Sequence, residues 1–270
     1  MVKPKAPIFR RIKIDKTKSN NFTIIFFHGT NHSCLKYNYT YEPDGKIKKN
    51  YFLNKLSNIS DLFLYNRPEE TLRFNYEQGI SNDGVDYPNQ TIDSHITNLH
   101  KFLVDEKIQK PYVLVSHSIG SLYALKFAQK YPKEIKHVFL IDPIQYTEKV
   151  AREFYSPPIS HSDLDGHIQI IKNTKSSKTR VEKSLSVLDS NTYSIPYFAP
   201  KLNRPLTTFF NVDTKSDTHK KFTLPYVEEL KKYNKSNYNN YYYYDRDHYL
   251  NETNPQGIVT KIRKELNIVN

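Results

Sequence analysis

Cysteine is almost absent from this chain. The single residue Cys34, in 270 residues, excludes an intrachain disulfide and any multi-cysteine metal site. A lone thiol of this kind reads as a small buried hydrophobe. Glycine is also scarce: there are seven, and two of them, Gly29 and Gly120, fall inside the motifs described below. No apolar run approaches the length of a membrane span. The residues after Met1-Val2-Lys3-Pro4 are charged and form no apolar h-region, so no signal peptide is expected and the chain reads as soluble and cytoplasmic. Hydrophobic residues make up only 37%, yet 22 Tyr and 15 Phe supply enough apolar bulk for a sizeable core. The length suits one α/β domain with an insertion, or at most two small domains.

Acidic residues are outnumbered, 28 against 40 basic ones, for a net charge of +12. Such a balance admits a polyanion-binding protein. The lysines are scattered, however, with small clusters only at Lys46 to Lys49 and Lys172 to Arg180. Solvated lysines account for that pattern better than a nucleic-acid surface, and no nucleic-acid partner is expected.

The most informative stretch runs from Tyr112 to Tyr123. A β-branched, apolar run meets three small residues at alternating positions, Ser116, Ser118 and Gly120. A helical pattern follows, with Ile119, Tyr123 and Phe127 on one face and Leu122 and Leu125 beside them, until Pro132 stops it. Strand, tight turn and helix lift one side chain, Ser118, at the rim of a sheet. The helix N-terminus aims amide N–H groups and a partial positive charge toward it. An ordinary βα loop capped by serine uses the same residue types.

Ser116-His117-Ser118-Ile119-Gly120 resembles the nucleophile elbow of the α/β-hydrolase superfamily, G-x-S-x-G, with serine in place of the first glycine. Upstream, Phe22 to Phe27 reads as a strand buried on both faces, as in a parallel sheet. It runs into His28-Gly29-Thr30-Asn31, which resembles the oxyanion loop of the same superfamily. The resemblance implies that the backbone N–H groups of Thr30 and Ile119 hold a developing oxyanion.

The remaining chain is read more coarsely. Residues 8–15 alternate as an outer strand, 51–56 suggest a helix and 59–65 a further strand. That strand ends at Asn66-Arg67-Pro68, a partial match to a superfamily turn. A helix opening at 91 carries Ile92, Ile96, Leu99 and Leu103, with His95 and His100 expected on its surface. Strands are expected at 135–141 and 205–212, with a helix at 225–233. An Asn/Tyr tract from 234 to 244 is either a sticky loop or, at Tyr241 to Tyr244, the last strand. A closing helix from Pro255 to Leu266 puts Ile258, Ile262 and Leu266 on one face.

The resemblance implies an α/β fold: a mostly parallel central sheet flanked by helices, with an inserted cap or lid. Its core would be 1–143 and 204–270, and its cap 144–203. Inside that insertion His161, Asp163, Asp165 and His167 could be drawn as metal ligands, but capping and turn chemistry explain the run and no metal is expected. The superfamily's order, Ser then acid then His, assigns Ser118 as nucleophile and His248 as base. For the acid it favours Asp217, which follows Thr214-Lys215-Ser216, then Asp213, then Asp142 at a rarer position.

The chemistry implied is hydrolysis of an acyl ester through an acyl-enzyme, with amide, thioester or lactone also open, a small-molecule acyl substrate and no cofactor. A serine nucleophile argues against relatives that use aspartate there, the epoxide hydrolases and haloalkane dehalogenases. The alternatives are an inactive protein of the same fold that only binds, and the polyanion binder. The first would not react with a fluorophosphonate, and the second would show affinity falling steeply with salt.

Overall fold

The computed structural model describes residues 10–12, 20–29, 39–41, 47–49, 51–65, 92–143, 202–215, 217, 220, 223–234, 237–246 and 248–268. The 144–203 insertion, apart from Leu202 and Asn203, lies outside them, as do Thr30, Cys34 and the Asn66-Arg67-Pro68 turn. The strands are β1 (Arg10–Ile12), β2 (Thr23–Phe27), β3 (Tyr39–Tyr41), β4 (Ile47–Lys49), β5 (Asp61–Tyr65), β6 (Tyr112–His117), β7 (Ile135–Ile141), β8 (Leu206–Val212) and β9 (Tyr238–Tyr244). The helices are α1 (Tyr51–Ser57), α2 (Ile92–Asp105), α3 (Gly120–Lys130), α4 (Leu224–Asn234), α5 (Leu250–Thr253) and α6 (Pro255–Glu265).

Among the described residues, seven strands form the main sheet in the order β1-β5-β2-β6-β7-β8-β9. All neighbours from β5 to β9 pair in parallel, and β1 joins the β5 edge antiparallel. Strands buried on both faces read as continuous apolar runs, which is why Thr23–Phe27 and Tyr112–His117 carry almost no exposed position.

Alternation along each strand divides the core in two. Ile25, Phe27, Tyr112, Leu114, Val138 and Leu140 point to the face covered by α2, α3 and α4. Ile24, Phe26, Val113, Val115, Phe139 and Ile141 point to the face covered by α1, α5 and α6.

The chain leaves β2 for β5 on one side, then returns past it to β6 on the other. The direction of winding therefore reverses between β2 and β6, and the crevice at the carboxyl ends of those two strands is where open α/β sheets bind ligands. His28-Gly29 follows β2 and Ser118 follows β6, so both motifs meet at this point.

Three histidine or aromatic segments depart from expectation. His95 is buried rather than on the surface of α2, and its Nδ1 lies 3.4 Å from the Tyr65 hydroxyl. His100 is half-buried: its ring stacks on Tyr131 at 3.7 Å between centroids, and its Nε2 lies 3.1 Å from Glu134, which also accepts from Lys110 at 2.6 Å. β9 begins at Tyr238, three residues before the expected Tyr241, so the Asn/Tyr tract is largely strand. Its Asn239 side chain donates to Glu265 at 2.8 Å, and the Tyr241 hydroxyl donates to the same carboxylate.

His137 is a structural histidine with a consequence for acid stability. It is buried in β7, stacks on Phe139 at 4.1 Å and meets the Thr207 hydroxyl through Nε2 at 2.9 Å. Burial first, and the nearby Lys136 charge second, push its pKa down to about 3. Between about pH 6.5 and that value the unfolded chain takes up a proton there and the folded chain does not, so falling pH favours unfolding. The expected cost is about 1.4 kcal/mol per pH unit in that window, with full stability regained above it. Urea unfolding at pH 7.5 and pH 5 should show a smaller pH difference for His137→Gln than for the wild type. Equal differences would contradict this origin.

Among the described residues no helix is long and apolar enough to cross a membrane.

Candidate active site

Ser118 sits between β6 and α3 with φ 51, the left-handed region that a residue other than glycine adopts only under constraint. The constraint is visible. The Ser118 N–H donates to the Ile141 carbonyl at 3.0 Å, which holds the elbow to the end of β7. Its carbonyl accepts from Ser121 N–H at 3.0 Å, which starts the turn into α3. Ile119 stands at the N-cap of α3, where the first amide groups have no acceptor within the helix.

The small residues around Ser118 have separate reasons. A Cβ on Gly120 would lie 2.3 Å from the Phe27 carbonyl oxygen and 2.8 Å from that of His28, so only glycine lets α3 rest on the end of β2. Gly120→Ala should therefore lower stability by at least about 1–3 kcal/mol, or prevent folding, as measured by urea unfolding. Unchanged stability would contradict so close an approach of α3 to the end of β2. Ser116, where the elbow signature has glycine, is fully buried, and its hydroxyl donates to the Phe139 carbonyl at 3.3 Å. A small side chain with a backbone partner is accommodated there.

Gly29 brings the loop after β2 against the elbow. A Cβ on it would lie 2.7 Å from His117 Nδ1 and 3.1 Å from Ser118 Cβ. His28 is buried, and its Nδ1 donates to the Gly29 carbonyl at 2.9 Å.

His248 follows the end of β9 and returns across the sheet toward the elbow. Its Nδ1 lies 2.6 Å from Asp142 Oδ2. Its backbone carbonyl accepts from His117 Nε2 at 3.0 Å, and the two imidazole rings are 4.8 Å apart. The His248 side chain is about half exposed, whereas that of Asp142 is nearly enclosed.

The carboxylate beside His248 is therefore Asp142, not Asp217 or Asp213. Asp142 directly follows β7, the strand next to β6, about 4.8 Å away in the sheet; residues after β8 start one strand further out. It too has positive φ, 39. Its N–H donates to the Phe209 carbonyl at 2.7 Å, and its Oδ1 accepts from Asn211 N–H at 3.1 Å, which leaves Oδ2 for the imidazole. Asp213 is turned into its own loop, accepting from Lys215 N–H at 2.9 Å. Asp217 is exposed and faces Lys220 at 4.0 Å. A third acid there, Asp245, accepts from the Thr214 N–H and hydroxyl, which hold its carboxyl below the usual range.

The structure thus brings Ser118, Ile119, His248 and Asp142 to one crevice and leaves Asp213 and Asp217 outside it. Thr30 lies outside the described residues. One participant has no role in the sequence reading: His117, whose ring touches both the Gly29 loop and the His248 segment. The alternation that places Val113 and Val115 on the α5–α6 face extends to position 117 and marks it. Among the described residues no group of His, Cys, Asp and Glu is arranged to hold a metal ion.

Residues 60–171 match the family described as the α/β hydrolase fold. One curated relative, the uncharacterized protein YbdG of Bacillus subtilis (strain 168), is 37% identical over 71 residues. The match spans 25% of this chain and only 22% of that protein's length. Solved structures resemble the chain over nearly its whole length. A lipase-esterase related protein from Clostridium acetobutylicum superposes with TM-score 0.54 at 17% identity, covering 95% of this chain and 98% of that one. The type II thioesterase BorB from the borrelidin biosynthetic cluster gives 0.61 at 14%, covering 96% of each. MenH from S. aureus gives 0.59 at 14%, covering 96% and 97%. At such identities the likeness is one of fold.

Proposed function

The chain has the α/β-hydrolase fold, and from that premise we propose that it is a serine hydrolase cleaving an acyl ester through an acyl-enzyme. The observation that carries this reading is the 2.6 Å bond between His248 Nδ1 and Asp142 Oδ2 beside the constrained Ser118 elbow. A serine hydroxyl is a weak nucleophile near neutral pH and needs a base oriented by a third group.

In the proposed cycle, Ser118 Oγ attacks the substrate carbonyl carbon while His248 Nε2 takes its proton. The carbonyl π electrons move to oxygen, and the N–H groups of Ile119 and Thr30 hold that oxyanion. Collapse breaks the bond to the leaving alcohol, which receives the proton from His248. Water then repeats the sequence on the acyl-enzyme, with His248 again as base, and releases the carboxylic acid. Asp142 keeps the imidazole in the tautomer with Nδ1 protonated and stabilises the imidazolium. Every step uses this chain's own groups and water.

The partner in this reading is a small acyl compound, and nucleic acid is not one. Residues 144–203, between β7 and β8, stand where a cap selecting the acyl group would be inserted. Hydrolysis of p-nitrophenyl esters of graded acyl length tests the reading: turnover with a clear chain-length optimum is expected. A folded protein that turns over none of them and does not react with a fluorophosphonate would support the binding-only alternative.

A further inference from the structure

His117 is a buried group next to the nucleophile that the proposed cycle does not use, and its surroundings suggest a task. It ends β6, is 1% exposed, and shares a sheet face with Val113 and Val115. That face is covered by α5 and α6, and the chain re-enters it with His248. The His117 ring lies 4.8 Å from the His248 ring and 5.4 Å from that of Tyr249. On its other side the lack of a side chain at Gly29 admits it, since a Cβ there would meet Nδ1 at 2.7 Å and Cε1 at 3.2 Å. A carbonyl oxygen can only accept, so the 3.0 Å contact with the His248 carbonyl requires a proton on His117 Nε2.

We propose that His117 is a positioning residue: its Nε2–H pins the backbone of His248, so that the imidazole is held at two points. The other point is the Nδ1 bond to Asp142, which fixes the ring. A side-chain bond alone leaves an imidazole free to follow its backbone, and this backbone lies on a loop beyond the edge strand β9. Fixing the carbonyl as well sets where Nε2 can meet the Ser118 hydroxyl. Because His117 and Ser118 are adjacent, the clamp refers the base directly to its nucleophile. A misplacement of about 1 Å in such a pair can cost about 100-fold in rate.

The inference rests on the serine-hydrolase reading, and its test separates the two. His117→Phe fills the space without a donor, and His117→Gln supplies an amide N–H at the reach of Nε2. His117→Asn carries the same amide but is too short to reach. With the p-nitrophenyl ester the wild type hydrolyses best, kcat should fall about 10- to 100-fold in the Phe and Asn variants. The Gln variant should remain within about threefold of wild type, and KM should change little throughout. Wild-type kcat in the Phe variant, or equal losses in the Gln and Asn variants, would overturn the proposal in favour of simple packing. If the Phe variant does not fold, the Gln and Asn pair decides. A second readout needs no activity. In protein labelled with ¹⁵N-histidine, the His117 signal, assigned by its loss in His117→Gln, should show a proton bonded to Nε2. A proton on Nδ1 alone would overturn the clamp. If the wild type neither turns over esters nor reacts with a fluorophosphonate, the hydrolase reading falls, and the imidazole signal still decides the contact.

Discussion

Ser118→Ala is expected to lower ester turnover by about 10⁴- to 10⁶-fold while leaving the fold intact. The size follows from the chemistry. Without Oγ no acyl-enzyme forms, and what remains is whatever rate the oxyanion donors and binding give to direct attack by water. The fold survives because the elbow is held by backbone bonds, Ser118 N–H to the Ile141 carbonyl and Ser121 N–H to the Ser118 carbonyl. The conformation at 118 adds a stability comparison. At φ 51 any side chain with a Cβ is strained by roughly 1–2 kcal/mol, and glycine is not. Ser118→Gly should therefore be as inactive as Ser118→Ala yet up to about 1 kcal/mol more stable in urea unfolding. Turnover retained by either variant would remove the serine from the mechanism.

Asp142→Asn is expected to reduce kcat by about 10²- to 10⁴-fold, and the direction follows from hydrogen-bond polarity. Asp142 Oδ1 accepts from the Asn211 N–H and Oδ2 faces His248 Nδ1. In the asparagine variant the amide oxygen keeps the Asn211 bond, which turns the NH₂ group toward the imidazole. Nδ1 must then accept, the proton moves to Nε2, and the nitrogen that should take the Ser118 proton is already occupied. Asp217→Ala and Asp213→Ala should each stay within about twofold of wild type, because neither carboxylate reaches the imidazole. Steady-state kinetics on the four proteins gives the answer. A large loss on Asp217→Ala with none on Asp142→Asn would reverse the assignment.

The choice among these acids shows where sequence reading stops. The strand and turn pattern at Ser116-His117-Ser118-Ile119-Gly120 is local, so its spacing revealed the elbow and the burial of α3. The run from Phe22 to Gly29 was legible for the same reason, since a strand buried on both faces has no polar alternation. Which carboxylate faces His248 is a question of strand order. Asp142 meets His248 because β7 lies between β6 and β8, and no residue near 142 records that neighbour.

His95 is legible as a core position rather than the expected surface one: it lies three residues after Ile92 and four before Leu99, on the same face that buries them. Aromatic propensity marks only Tyr241 to Tyr244 as strand, and Asn239 and Asn240 have low strand propensity. Pairing with β8 from Leu206 to Val212, and the grip of Glu265 on Asn239 and Tyr241, outweigh that preference. His117 was hidden in plain view as the variable position of a motif defined by its neighbours.

Reaction of the folded wild-type protein with a fluorophosphonate, followed by peptide mass spectrometry, tests the central claim most directly. A single phosphonyl adduct on Ser118 is expected, formed much more slowly in Asp142→Asn. An adduct on another residue, or none on protein shown to be folded, would contradict it.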